Sequence, residues 1–172
     1  MRAAPTAAIC CVLAVSAASP GLASDQAGEL PLSTREYVTA SIQANRFEVV
    51  EGELAASNGE SAEVRRFGER MVREHGDAAR DLAAAAAAAG LAPEKPTLSG
   101  GQAELLAALE LKSGTAFDTE YLKQQRSAHQ IALAIQGDYA AHGAAPPLRV
   151  LAGRTVAMVQ DHLAALRRMG GM

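Results

Sequence analysis

The sequence predicts an all-α protein, an antiparallel four-helix bundle with a short extra helix between the second and third long helices. Three observations predict it. Apolar residues recur at intervals of three and four through four long segments, the signature of helices that bury one face. Alanine dominates, tryptophan is absent and only six aromatic residues occur, which suits closely packed helices because alanine costs least in a helix. Short breaks join the first long segment to the second and the third to the fourth, so each pair must run antiparallel.

Residues 1–23 have Arg2, an apolar run from Ala7 to about Ala18, Pro20-Gly21 and a small-residue end at Ala23, the pattern of a signal peptide cut after Ala23. The apolar run falls short of the about 20 residues a membrane span needs, and no later segment approaches that length without charge. A chain of this kind is expected to be exported, to the periplasm or beyond, without a transmembrane segment. Cys10 and Cys11 would leave with the signal, so no disulfide is expected. Residues 24–32 read as a flexible polar leader, and residues 33–169 as the bundle domain.

The first long helix begins at Ser33-Thr34-Arg35-Glu36, a capping-box spacing, and ends at Asn58-Gly59. The second begins at Ser61 and carries Val64, Phe67, Met71, His75, Ala78 and Leu82 on one stripe. Seven alanines, Ala83 to Ala89, close it in a tract expected to pack tightly on its neighbours before Gly90 stops it. Leu91 to Gly101, with two prolines and two terminal glycines, forms the longest break. A short helix is expected from Gln102 to Lys112, and Thr115 with Asp118 is the expected cap of the third long helix. That helix carries Phe117, Tyr121, Gln125, Ala128, Ala132 and Tyr139, with His129 adjoining, and ends at His142-Gly143, where His142 is expected to cap. Pro146-Pro147 opens the last helix, where first-turn N–H groups have no helical partner to lose. Its stripe is Leu148, Leu151, Thr155, Met158, His162 and Leu166, and Arg167-Arg168 complements its C-terminal dipole.

Three histidines carry the chemical signal. His75, His129 and His162 each lie on the apolar stripe of a different long helix. Counted from the two short turns, which share one end of the bundle, they lie about 16, 15 and 18 residues deep, a spread of roughly 5 Å at 1.5 Å per residue. The rings are therefore expected to meet, and each buried imidazole needs a polar partner that a shared metal ion supplies. Glu48 on the first helix lies at a similar depth, as a fourth ligand or an outer acceptor for an imidazole N–H. Asn45 lies nearby, and the small residues Ser41, Ala44, Gly52 and Ala55 are expected to leave room inside. The competing reading is a buried network of His, Glu and Gln125 that only sets helix register. Met71 and Met158, one turn from His75 and His162, read as core filler, and Glu51, Glu53, Glu60, Glu63, Glu69 and Glu74 as solvated faces.

Other chemistries lack their motifs. After removal of the signal, 15 basic and 19 acidic side chains are spread without blocks, which leaves no clustered basic face for nucleic acid. No Cys-x-x-Cys-His is present for haem c, and no phosphate loop, nucleophile elbow or His-Glu-x-x-His occurs. Val72, Arg126 and Val159 stand three before the histidines where di-iron bundles have glutamate, so a ferroxidase is disfavoured. Non-covalent haem would need a wide aromatic-lined gap that this small-residue stripe does not promise.

The strings Phe47-Glu48-Val49, Gly52-Glu53-Leu54-Ala55, Val64-Arg65-Arg66-Phe67 and Met71-Val72-Arg73-Glu74-His75 resemble the first half of the exported ferritin-like proteins classed as domain of unknown function 4142. Phe117-Asp118-Thr119-Glu120-Tyr121-Leu122, His129-Gln130-Ile131-Ala132-Leu133, Asp138-Tyr139-Ala140-Ala141 and His162-Leu163 resemble the second half, so that the likeness spans roughly residues 36 to 168. Ala157 stands about where the family often has a proline. The resemblance implies an exported, ferritin-like four-helix bundle with Glu48, His75, His129 and His162 at matching polar positions. Members are commonly labelled outer-membrane proteins, although the alternating strands of a barrel are absent here. The resulting expectation is a small exported binding or stress-associated protein rather than an enzyme. It would hold one transition metal ion, zinc or copper before iron, through His75, His129, His162 and Glu48. The alternative is a structural or protein-interaction bundle of the cell envelope. Alanine-rich outer faces would permit a homo-oligomer or an envelope protein partner.

Overall fold

The computed structural model describes residues 32–92 and 94–170. The predicted signal peptide and the leader through residue 31 lie outside the described residues. Five helices follow in order: α1 Thr34–Asn58, α2 Ala62–Ala88, α3 Gly100–Glu110, α4 Gly114–His142 and α5 Pro146–Met169. No helix among the described residues is long and apolar enough to cross a membrane.

Local signals set most of the boundaries. Ser33 and Glu36 form the expected capping box, with the Ser33 N–H donating to Glu36 Oε2 at 2.9 Å and the Glu36 N–H donating back to Ser33 Oγ at 3.3 Å. Ser61 caps α2 through the Val64 N–H, and Ser99 with Gln102 forms a second capping box that starts α3 two residues earlier than expected. Pro146 and Pro147 occupy the first turn of α5. The expected Thr115–Asp118 cap of α4 does not form. Its N-cap is Ser113, without a side-chain bond, and the Asp118 carboxylate instead accepts the backbone N–H groups of Glu60 and Ser61, each at 2.9 Å. Asp118 thus serves the N-terminus of a neighbouring helix, where free donors and the helix dipole favour an anion. His142 likewise caps nothing; its Nδ1 pairs on the surface with Asp138 at 2.9 Å.

α1 packs mainly on α2 and α4 mainly on α5, while α2 meets α5 and α1 meets α4 to close the ring of four; α3 lies against α1 and α4. Close approach of α1 and α2 requires glycine at two facing positions. A Cβ on Gly52 would stand 2.8 Å from the Gly68 carbonyl oxygen, and one on Gly68 would stand 2.6 Å from the Gly52 carbonyl oxygen. Gly52 therefore brings two backbones together rather than leaving room inside.

Two apolar clusters bracket the middle of the bundle. One holds Phe67, Met71, Phe117, Tyr121 and Leu166. The other holds Tyr37, Leu82, Tyr139 and Leu148, with Leu32 packed against it. In the second, Tyr37 and Tyr139 stack with centroids 3.7 Å apart. Tyr37 donates to Gln136 Oε1 at 2.8 Å and Gln136 Nε2 donates to Ser41 Oγ at 3.2 Å. The alanine tract of α2 is mostly exposed, with only Ala86 fully buried, contrary to the expectation of tight packing.

Candidate metal centre

Between the two apolar clusters lies a polar layer, and the three expected histidines meet in it. His75 comes from α2, His129 from α4 and His162 from α5, with exposures of 5%, 1% and 0%. Ring centroids are 5.6 Å apart for His75 and His129, 5.4 Å for His75 and His162, and 5.0 Å for His129 and His162. One nitrogen from each ring lies within 4.8 Å of those of the other two. The depth count succeeded because helices of fixed rise, joined by short turns at one end, hold equal residue counts level.

Each ring has an outer acceptor, and the acceptors decide where the protons sit. The His129 Nδ1–H donates to the Gln125 carbonyl at 2.9 Å, since a carbonyl can only accept. The His75 Nδ1–H donates to Asn45 Oδ1 at 3.0 Å, and the His162 Nε2–H donates to Glu74 Oε2 at 2.7 Å. A neutral imidazole has one N–H, so these bonds leave a lone pair on His75 Nε2, His129 Nε2 and His162 Nδ1. His129 Nε2 and His162 Nδ1 lie 3.0 Å apart with no proton left to join them. His75 Nε2 is buried with no hydrogen-bond partner among the described residues.

The surroundings keep His75 and His162 neutral. Burial, followed by the nearby His129 and His162, holds His75 well below the usual histidine range. Burial also lowers His162 to about 4, against the pull of its bond to Glu74. Burial works to raise the Glu74 carboxyl, but bonds from Arg70 and His162 outweigh it and keep Glu74 below the ordinary carboxylate value. Arg70 Nε holds Glu74 at 2.8 Å and its Nη2 holds Asp161 at 2.5 Å. At neutral pH the layer therefore holds an ionised Glu74 beside neutral His75 and His162, whose free nitrogen lone pairs are available as ligands.

Glu48 stands on the far side of His129. Its Oε1 is 3.6 Å from His129 Nδ1, the ring nitrogen turned away from His162, and its Oε2 accepts from Gln125 Nε2 at 2.6 Å. The same amide nitrogen donates its second N–H to Glu51 Oε2, also at 2.6 Å. Glu51 is fully buried, not on a solvated face as its sequence reading had it, and burial together with the Glu48 charge raises its carboxyl to about 9. Glu74 is a second departure, half-buried and bonded to His162. Both had a readable signal: Glu51 lies three residues after Glu48 on the same stripe, and Glu74 adjoins His75. Met71 is buried in the apolar cluster and Met158 packs against that cluster.

His75 and His129 also line a partly open cavity of about 360 Å³, to which all five helices contribute residues. Room inside is expected beside Ser41 and Ala44, and both line this cavity, to which the close approach suggested by the alanine-rich composition does not extend. Alanines face one another across it, Ala40 and Ala44 from α1 with Ala128 and Ala132 from α4.

The family model described as "Domain of unknown function (DUF4142)" matches residues 19–169. In fold the chain is similar to a solved structure described as CopM in the Cu(II)-bound form, with a TM-score of 0.70 and 13% identity, over 81% of this chain and 97% of the other. A second, described as CopM in the Cu(I)-bound form, has a TM-score of 0.66 and 13% identity, over 80% and 95%. No curated protein matches in sequence.

Proposed function

The chain belongs to the DUF4142 family, which is defined without a function, and we propose that it binds one copper ion through His75, His129 and His162. The observation that carries this reading is the proton count. Three hydrogen-bond contacts run in line, from the Gln125 carbonyl to His129, from His129 to His162 and from His162 to Glu74, and two imidazoles in the neutral form that ligation requires supply only two protons. The unserved middle contact places two lone pairs at 3.0 Å, and a cation satisfies both. His75 Nε2 adds the third donor.

The donor set fits the ion. Metal–nitrogen bonds of about 2.0–2.1 Å in a tetrahedral site place ligand nitrogens about 3.3 Å apart. Small ring rotations reach that value from separations of 3.0 to 4.8 Å. The outer acceptors Asn45, Gln125 and Glu74 fix the tautomer of each ligand, and the Glu74 carboxylate offsets part of the buried charge. Glu48 acts as an outer group behind His129 rather than as a ligand. Imidazole suits copper and zinc alike. Copper is preferred because the two CopM structures similar in fold are copper-bound forms. The protein is read as an exported copper-binding protein of the periplasm or cell envelope, in keeping with the signal-like start of its sequence.

Elemental analysis by mass spectrometry of untagged protein from its native compartment tests this, beside a variant with all three histidines changed to leucine. One copper per chain, absent from the variant, is the expected result. A folded native protein that stays empty after challenge with copper, zinc and iron would reduce the histidines to core architecture.

A further inference from the structure

The cavity beside the centre offers more than a route for an ion. It reaches His75 and His129, and its lining is predominantly small and apolar, with Ala44, Phe47, Ala128 and Ala132 among the wall residues. Leu105 on α3 and Ile131 on α4 stand at its open side, 41% and 58% exposed, two of the few large apolar side chains that this bundle leaves in water. A volume of about 360 Å³ falls within the range of sites that hold small organic molecules. Two buried polar atoms belonging to its lining residues lack a partner among the described residues, His75 Nε2 and Gln124 Oε1.

Three imidazoles leave a four-coordinate ion one position short. Glu48 is held away from that position, tied to Gln125 and set against the outward nitrogen of His129. We propose that the cavity is a binding site for a small molecule with an apolar body and one neutral nitrogen donor. The donor atom takes the open position on the metal and the body lies among the alanines. The proposal rests on the metal reading above. A nitrogen heterocycle that also bears an N–H matches the lining best, because the unpartnered Gln124 Oε1 is an acceptor.

The test titrates copper(II)-loaded protein with imidazole and with 4-phenylimidazole, followed by electron paramagnetic resonance and visible absorption, with copper content measured after each titration. Both probes are expected to change the copper spectrum, and 4-phenylimidazole is expected to bind at least tenfold more tightly because its ring enters the cavity. Ala128→Phe fills the cavity and is expected to keep one copper per chain while losing that preference; Ala132→Phe serves the same purpose if the first variant does not fold. Equal affinity for the two probes, an unchanged spectrum in a copper-loaded protein, copper stripped off by the probes, or a preference that survives both fillings would each overturn the proposal. A native protein without copper at the outset would instead overturn the metal reading and the cavity proposal with it.

Discussion

Replacing His129 by leucine separates a ligand from a structural histidine, because the two roles predict opposite balances of stability. In the metal-free protein with neutral rings, His129 Nε2 faces another lone pair at 3.0 Å, a contact without benefit. Its one good bond is to the Gln125 carbonyl, which as a mid-helix group already accepts a backbone N–H. Leucine is of similar size and suits a site that is 1% exposed. The lost bond and the gained apolar burial are each worth about 1 kcal/mol, so the metal-free variant is expected within about 1 kcal/mol of the native protein. The metal-bound comparison is different. Free copper at 1,000 times the dissociation constant stabilises the native state by about 4 kcal/mol. That corresponds to a rise in Tm of about 10–20 °C for a domain of this size. Losing one of three ligands is expected to weaken binding at least a hundredfold, which cuts the stabilisation to about 1.4 kcal/mol.

Differential scanning calorimetry of both proteins, with and without copper, reads all four values. A metal-free His129→Leu variant destabilised by more than about 2 kcal/mol, roughly 8 °C, would show that His129 belongs to a satisfied hydrogen-bond network and would refute the proton count. Equal copper-induced shifts in the two proteins would remove His129 from the metal site.

Three further outcomes are expected. Gly68→Ala forces the α1 and α2 backbones apart, since its Cβ would meet the Gly52 carbonyl oxygen at 2.6 Å, and should cost about 2–3 kcal/mol in chemical denaturation. In metal-free protein, His162 titrates near 4 when folded and about 6.5 when unfolded, so the unfolded chain takes up the proton first. Its contribution to stability is present above pH 6.5 and is lost as pH falls towards 4, on the order of 3 kcal/mol, read as the difference between native and His162→Leu denaturation curves across that window. Glu51 has the opposite sign. Its folded value of about 9 lies above its unfolded value, so its stability is full below pH 4.5 and is lost as pH rises towards 9. Glu51→Gln, neutral throughout, should gain at least about 2 kcal/mol over the native protein at pH 8 and nothing at pH 4.5; equal curves would mean that Glu51 is ionised in the fold.

Much of this architecture could be read in the residues. The stripes and caps locate the four long helices, and fixed helical rise alone puts three histidines at one level. What escaped lay between elements. The Thr115–Asp118 spacing obeys a local rule, but Asp118 finds stronger demand at the free N–H groups of α2, a contact that no local window contains. Glu74 was assigned to solvent because the stripe of α2 fixes which face is buried but not which neighbour touches its flank; the contact with His162 follows from α2 meeting α5. The cavity is legible in part, since Ser41 and Ala44 are expected to leave room inside and both line it. What no single stripe reveals is that Ala128 and Ala132 of α4 border the same space as Ala40 and Ala44 of α1, because a cavity depends on which helices face one another.

The proton deficit also makes Glu74 decisive although it touches no metal. An ionised carboxylate can only accept, so it commits the His162 proton to Nε2 and leaves Nδ1 bare towards His129. In Glu74→Gln the amide can instead donate to Nε2, which frees the proton to sit on Nδ1 and to be given to His129 Nε2. Every contact in the line is then served, and the metal-free network becomes self-sufficient with all three histidines intact. The variant should therefore bind copper at least tenfold more weakly, because the ion must now displace a made hydrogen bond. Its metal-free stability should change little, since the lost Arg70 pairing is partly exposed and worth about 1 kcal/mol or less. Long-range nitrogen–proton correlation spectra of the imidazoles report the tautomer directly: His162 should carry its proton on Nε2 in the native protein and on Nδ1 in the variant. An unchanged tautomer with unchanged copper affinity would show that Glu74 does not set the ligand and that the count of protons along the line is not what prepares this site.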